Sequence, residues 1–170
     1  MKSGIGTASL EIGAGIIVGA IVAVNAFGDV IDPSAGQIIA GARSKDVGPL
    51  HIGAPGYFAD SMQVMKTLIG RTALGFGKGK DTVIGVVATN ADLDKEAANK
   101  VAQMAHDGLA RTIRPAHTML DGDTIFALAT GEHAADVNIV GAYGAEVFAQ
   151  AILRAVRAAS PVAGIPAIHQ

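Results

Sequence analysis

The sequence predicts a layered α/β domain in which strands come first and long helices later. Three observations carry this. Two apolar runs rich in β-branched residues, 16–24 and 83–89, have the length and composition of buried strands. Two later segments, 95–113 and 137–158, repeat apolar residues at helical spacing. Clusters of Pro, Gly and Asp separate these runs. Such an order fits stacked layers, not a barrel or a helical bundle.

Residues 5–42 read as strands. The run 16–24 is continuously apolar, the pattern of a strand buried on both faces. Residues 25–29 form a bend, 29–31 resume the strand, and Asp32-Pro33-Ser34-Ala35-Gly36 is a turn. Pro33 presets its φ there, and Gly36 accepts a positive φ. A short strand follows at 38–42, then a loop over 43–56. Residues 58–69 suit a helix with Met62, Met65 and Ile69 on one face. The glycines at 70, 75, 77 and 79 mark a linker over 70–81. Strand 83–89 follows it. Asp94 is the N-cap expected for helix 95–113, whose apolar stripe is Ala97, Val101, Met104, Ala105 and Leu109. Pro115 stops that helix. Asp121-Gly122-Asp123 is a turn before strand 124–129. The last helix turns Val140, Tyr143, Val147, Ala151 and Val156 inward, and Pro161, Gly164 and Pro166 mark a loose tail.

Composition narrows the function classes. A chain of 170 residues can enclose one real core. Half of it is apolar, mostly small and β-branched, and mean hydropathy is +0.40. Net charge is −2 with no basic stripe, which argues against nucleic-acid binding. The absence of Cys excludes disulfides, thiolate zinc sites and Cys nucleophiles. The run 12–27, with Gly15 and Gly19 in a GxxxG, is shorter than the ~20 residues of a membrane-spanning helix. Its glycines and β-branched residues favour a strand over a signal peptide or membrane segment, so a cytoplasmic chain without a membrane partner is expected.

The candidate chemistry centres on Asp81-Thr82, where the glycine- and lysine-rich loop meets a strand. Thr82 is either an ordinary first strand residue or a nucleophile released by a cut before it. Gly79-Lys80 is no phosphate loop, because Leu74 stands where the motif needs Gly and a strand follows in place of a helix. The five His, at 51, 106, 117, 133 and 169, show no metal-ligand spacing, so tertiary convergence alone could build a metal site from them. Asp121 and Asp123 are a plain turn or a carboxylate pair aimed into a site. Asn25 ends an apolar run, either as a turn former or as an amide donor to a developing oxyanion. Lys2 is a chain-terminal lysine.

Taken together, five blocks resemble one family. They are residues 2–9, residues 22–29 around Asn25, residues 82–90, Ala105-His106-Asp107-Gly108, and residues 117–127 around Asp121-Gly122-Asp123. They resemble the DmpA-type aminopeptidase/esterases, self-processing N-terminal-nucleophile hydrolases that include nylon-oligomer hydrolases. The resemblance implies an αββα sandwich similar to that of ornithine acetyltransferases. It implies that Thr82 is the nucleophile, freed by cleavage of Asp81–Thr82, with its new α-amine as base. Asn25 would donate to the oxyanion, Asp121 and Asp123 would orient and polarise Thr82, and Lys2 would lie near the site. Residues 1–81 and 82–170 would then be two pieces of one domain.

The same resemblance implies oligomers of paired chains, a small peptide or amide substrate, and no cofactor or metal. Two departures stand out. Family members carry about as much sequence again before the position of Lys2, so this chain matches the C-terminal half of the sandwich. Without its upstream strands the sandwich would expose apolar faces and call for another chain. The residue before the nucleophile is Asp81, where relatives have Asn or Gly. The rival readings are a non-catalytic assembly subunit and, more weakly, an acetyltransferase of the related fold.

Overall fold

The computed structural model describes residues 1–47, 49–67 and 81–168. The linker ahead of Asp81, with Gly79 and Lys80, lies outside them. In chain order the elements are β1 (Ile5–Glu11), β2 (Ile17–Asn25), β3 (Asp29–Asp32), β4 (Gln37–Ala40), β5 (Lys45–Val47), β6 (Leu50–Ile52), α1 (Ser61–Lys66), β7 (Thr82–Asp92), α2 (Lys95–Thr112), β8 (Ile113–Arg114), β9 (Thr124–Ala134) and α3 (Val137–Arg157).

The main sheet runs β1-β2-β7-β9. Its first three strands are antiparallel, and β9 pairs parallel to β7. A parallel neighbour needs a crossover, and α2 supplies it. Register puts Asn25 opposite Thr82 and Val22 opposite Gly85. A smaller sheet, β4-β3-β8, and the hairpin β5-β6 stand beside it.

Strand alternation decides what each face does. One face carries Ala8, Val18, Ala20, Val22, Val24, Val83 and Val87, all buried under α2 and α3. Helix α3 adds Val140, Val147, Phe148, Ala151, Ile152 and Val156 to that core, and α2 adds Val101, Ala105 and Leu109. Capping sets both helix starts: Asp94 accepts from the Ala97 N–H at 2.7 Å, and Asp136 accepts from the Asn138 N–H at 2.7 Å.

Small residues let the layers approach closely. A Cβ on Gly6 would sit 2.1 Å from the Ala151 carbonyl oxygen, and one on Gly85 2.4 Å from the Phe148 ring. Gly6→Ala therefore forces backbone to move against backbone. It is expected to cost about 1–3 kcal/mol, read as a lower urea midpoint at unchanged slope.

Several sequence expectations are corrected. The other sheet face is open: Ile17 and Ile21 are 49% and 48% exposed, so β2 is buried on one face, not on both. Continuous apolarity looks the same whether the second face is covered by this chain or by something else. Tyr143 is exposed, because α3 turns Gly144 and Val147 inward beside it. Of the helix expected over 58–69, the described residues form Ser61–Lys66, stopped at Thr67 in an extended conformation; Met62 is exposed, and Ile69 lies outside the described residues. Its start is pinned by the buried Asp29, whose Oδ2 accepts the Ser61 N–H at 2.6 Å. Burial raises the pKa of that carboxyl. The loop over 43–56 contains β5 and β6. Residue 25 is the last of β2, and the apolar run 12–27 is mostly strand. Among the described residues one helix, α3, is long and apolar enough to cross a membrane, and it packs against the sheet as core.

Candidate active site

The first residue of β7 faces the last residue of β2, so Thr82 and Asn25 are direct cross-strand partners on one face of the sheet. They lie at the rim of a cleft of about 470 Å³, which Lys2, Ser3, Ile84 and Ile165 also line. Lys2 is held by its backbone, whose N–H donates to the Pro166 carbonyl at 2.7 Å. Thr82, Asn25 and Lys2 thus meet in one opening on the uncovered side of the sheet.

The Thr82 hydroxyl donates to the Asp81 carbonyl oxygen at 2.5 Å. That carbonyl belongs to the peptide bond entering Thr82. It also accepts the Gly122 N–H at 2.9 Å, because Asp81 and Asp121 pair as a short parallel bridge. Gly122 leaves little room: a Cβ there would lie 3.0 Å from Thr82 Oγ1. Asp81 itself is held above the usual carboxylate range, first by burial and then by the neighbouring charge of Asp121.

The two carboxylates contact backbone and not the Thr82 hydroxyl. Asp121 Oδ1 accepts the Phe27 N–H at 3.2 Å, just past Asn25. Its Oδ2 accepts the Thr118 hydroxyl at 2.7 Å and the Thr118 N–H at 3.1 Å. Asp123 Oδ1 accepts the Val83 N–H at 3.0 Å, directly after Thr82. Each Asp therefore braces one strand of the facing pair, Asp121 the bend after β2 and Asp123 the start of β7.

Sequence reading missed three participants. Gly122 was legible only as a turn residue. Thr118 and His117 come in because the 115–120 segment folds back under the carboxylates. His117 Nδ1 lies 2.9 Å from Asp123 Oδ2, and His106 reaches His117 from α2. The absence of sequence spacing between these two His hid a tertiary pair. Among the described residues no group of three His, Cys, Asp or Glu side chains is arranged to hold a metal ion.

The fold has counterparts among solved structures. The chain superimposes on an L-aminopeptidase D-Ala-esterase/amidase from Ochrobactrum anthropi, described as a variant of the Ntn hydrolase fold. The TM-score is 0.58 at 21% identity, over 93% of this chain and 41% of that one. A β-aminopeptidase from Burkholderia sp. matches with a TM-score of 0.58 at 22% identity, over 98% of this chain and 45% of that one. The fold is thus that of the Ntn-hydrolase aminopeptidases. The protein-family model of peptidase family S58 matches residues 1–168, and the chain belongs to that family.

Its relatives agree. It is 42% identical to an uncharacterized aminopeptidase of Mycobacterium tuberculosis, over 98% of this chain and 51% of the relative. It is 30% identical to a 6-aminohexanoate-oligomer endohydrolase of Kocuria sp., over 45% of this chain and 25% of that protein. The chain spans about half the length of the mycobacterial relatives it matches.

Proposed function

We propose that the chain is the nucleophile-bearing half of a self-processing amidohydrolase that cleaves amide or ester bonds through an acyl-enzyme on Thr82. The observation that carries this is the contact of the Thr82 hydroxyl with the Asp81 carbonyl, opposite Asn25. In maturation, Thr82 Oγ1 attacks the Asp81 carbonyl carbon. The Gly122 N–H stabilises the developing oxyanion, the C–N bond breaks, and the α-amine of Thr82 leaves with a proton. Water then hydrolyses the ester, which releases Asp81 as a free carboxylate end.

The freed amine supplies what a hydroxyl nucleophile lacks, an adjacent base. With an ordinary pKa of about 7.7–8.0, an α-amine is partly neutral near pH 7. It takes the Oγ1 proton as the oxygen attacks the substrate carbonyl. The Asn25 amide donates to the oxyanion, and the proton passes to the leaving amine. Asp121 and Asp123 hold the two strand ends in register, and Lys2 adds positive charge at the cleft. A small peptide or linear amide is the substrate class. Mass spectrometry tests the reading: two pieces divided between Asp81 and Thr82 support it, whereas an uncut chain that hydrolyses no amide or ester rejects it.

A second reading, an assembly subunit without activity of its own, is favoured by the open sheet face. Ile5, Ile17, Ile21, Ile84, Phe126 and Leu128 are each about half exposed or more there. This is a contiguous apolar surface of the kind that marks an interface. Thr82 opens onto the same face, so whatever covers it also walls the substrate cleft. Light scattering is expected to show an oligomer, or association with a second chain. A stable monomer would count against any such cover.

A further inference from the structure

The residues behind the nucleophile strand include two histidines to which neither the family match nor the proposed chemistry gives a role. We propose that His117 is a positioning residue that, braced by His106, orients the Asp123 carboxylate against the start of β7. The inference rests on the reading of Thr82 as nucleophile.

The geometry forms a chain of contacts. Asp123 is almost fully buried at its side chain, and its Oδ1 accepts the Val83 N–H at 3.0 Å. Its other oxygen, Oδ2, lies 2.9 Å from His117 Nδ1 and also accepts the His117 backbone N–H at 3.4 Å. A carboxylate can only accept, so a ring nitrogen at this distance is favourable only when it carries a proton. On the far side of the same ring, His106 Nδ1 stands 3.3 Å from His117 Nε2, with the two rings edge to face at 4.8 Å. Burial, and secondly the charge His117 would carry, lower the pKa of His106.

The backbone supports a specific role for this residue. His117 has φ 55°, in the left-handed region. Few side chains accept that conformation, and His, Asn and Asp are enriched there. Within one residue the position combines an uncommon backbone, a ring nitrogen against a buried carboxylate and a second imidazole at its far nitrogen. A solvated surface histidine needs none of these. If His117 turned away, one oxygen of Asp123 would lose its ring contact, and the carboxylate could rotate off Val83. The Thr82 hydroxyl and the future α-amine are set by that backbone.

The left-handed backbone also selects the test. His117→Gly removes the donor with no steric cost at φ 55°. His117→Asn tolerates the same backbone and places an amide N–H close to where Nδ1 stood. The expected result is an Asp81–Thr82 cleavage rate and amidase kcat at least about tenfold lower in His117→Gly, with KM little changed. His117→Asn recovers most of that loss. A purely structural role would move KM or yield of folded protein, and Asn would not rescue it.

The second measurement does not need activity. Imidazole nitrogen NMR of Thr82→Ala at neutral pH should show a proton on His117 Nδ1, and Asp123→Asn should change that signal. A bare Nδ1, or a His117→Gly rate equal to that of the unaltered chain, overturns the proposal. The parent reading fails separately, if Thr82→Ala still cleaves or still hydrolyses.

Discussion

Thr82→Ala is expected to leave the chain in one piece and to lower amide hydrolysis by at least about 10³-fold. In the proposed chemistry the variant removes the attacking oxygen, and with it both maturation and turnover. In nucleophilic hydrolases such a loss reaches roughly 10⁶ in kcat, with the remainder held by binding and the oxyanion site. Thr82 is only half-buried at the start of β7, and apart from the hydroxyl an Ala loses only one γ-methyl there. Stability should therefore change little, which separates a chemical loss from an unfolding. Thr82→Ser keeps the hydroxyl and should still cleave. Intact mass, a urea melt and a chromogenic amide assay together decide it. Cleavage persisting in Thr82→Ala would remove the residue from the chemistry altogether.

Asn25→Ala is expected to lower kcat by about 10²–10³, with KM changing by less than a few fold. This is the size of effect seen when one donor to a developing oxyanion is lost. The position is suited to it, because Asn25 stands across the strand pair from Thr82 at the same cleft. The amide must gain its importance in the transition state, so a fall in kcat at constant KM is the diagnostic split. Asn25→Asp gives the sharper contrast. It preserves shape but replaces the donor by a negative charge, and it should be at least as slow as Asn25→Ala. A variant with normal kcat and raised KM would instead make Asn25 a substrate-binding group. Self-cleavage should be less affected than turnover, since the Asp81 carbonyl already accepts from Gly122.

Much of the fold was legible along the chain. The buried face of β2 and β7 followed from β-branched composition, and α2 announced itself through Asp94 and its apolar stripe. The other face was not legible, because periodicity reports apolarity and not what covers it. Tyr143 went wrong for a related reason. Helical spacing allowed either Tyr143 or Gly144 on the inner face. The close approach of α2 to α3 chose the glycine, which sits against Val101 and Val87.

The site divides in the same way. Thr82 and Asn25 were candidates from their places at strand ends, and Asp121 and Asp123 from their turn. Their orientation was not readable. Both carboxylates bind backbone, Asp121 at Phe27 and Asp123 at Val83, and neither touches the Thr82 hydroxyl. His106 and His117 had no signal in spacing, because they stand eleven positions apart with a helix end and a fold-back between them.

Residue types and their order were enough to place a hydroxyl at the mouth of a strand, an amide at the end of another, and two acids in a turn. These are local properties, set by side-chain chemistry and by the turn and strand preferences of short segments. Which of them meet was settled by the register of β2 on β7, by the parallel bridge of Asp81 to Asp121, and by the fold-back beneath Asp123. Those are long-range pairings. A shift of one residue in strand register would turn Thr82 to the helix-covered face and leave every local preference unchanged. For that reason the chemistry could be nominated from the chain, and only the packed sheet could assemble it.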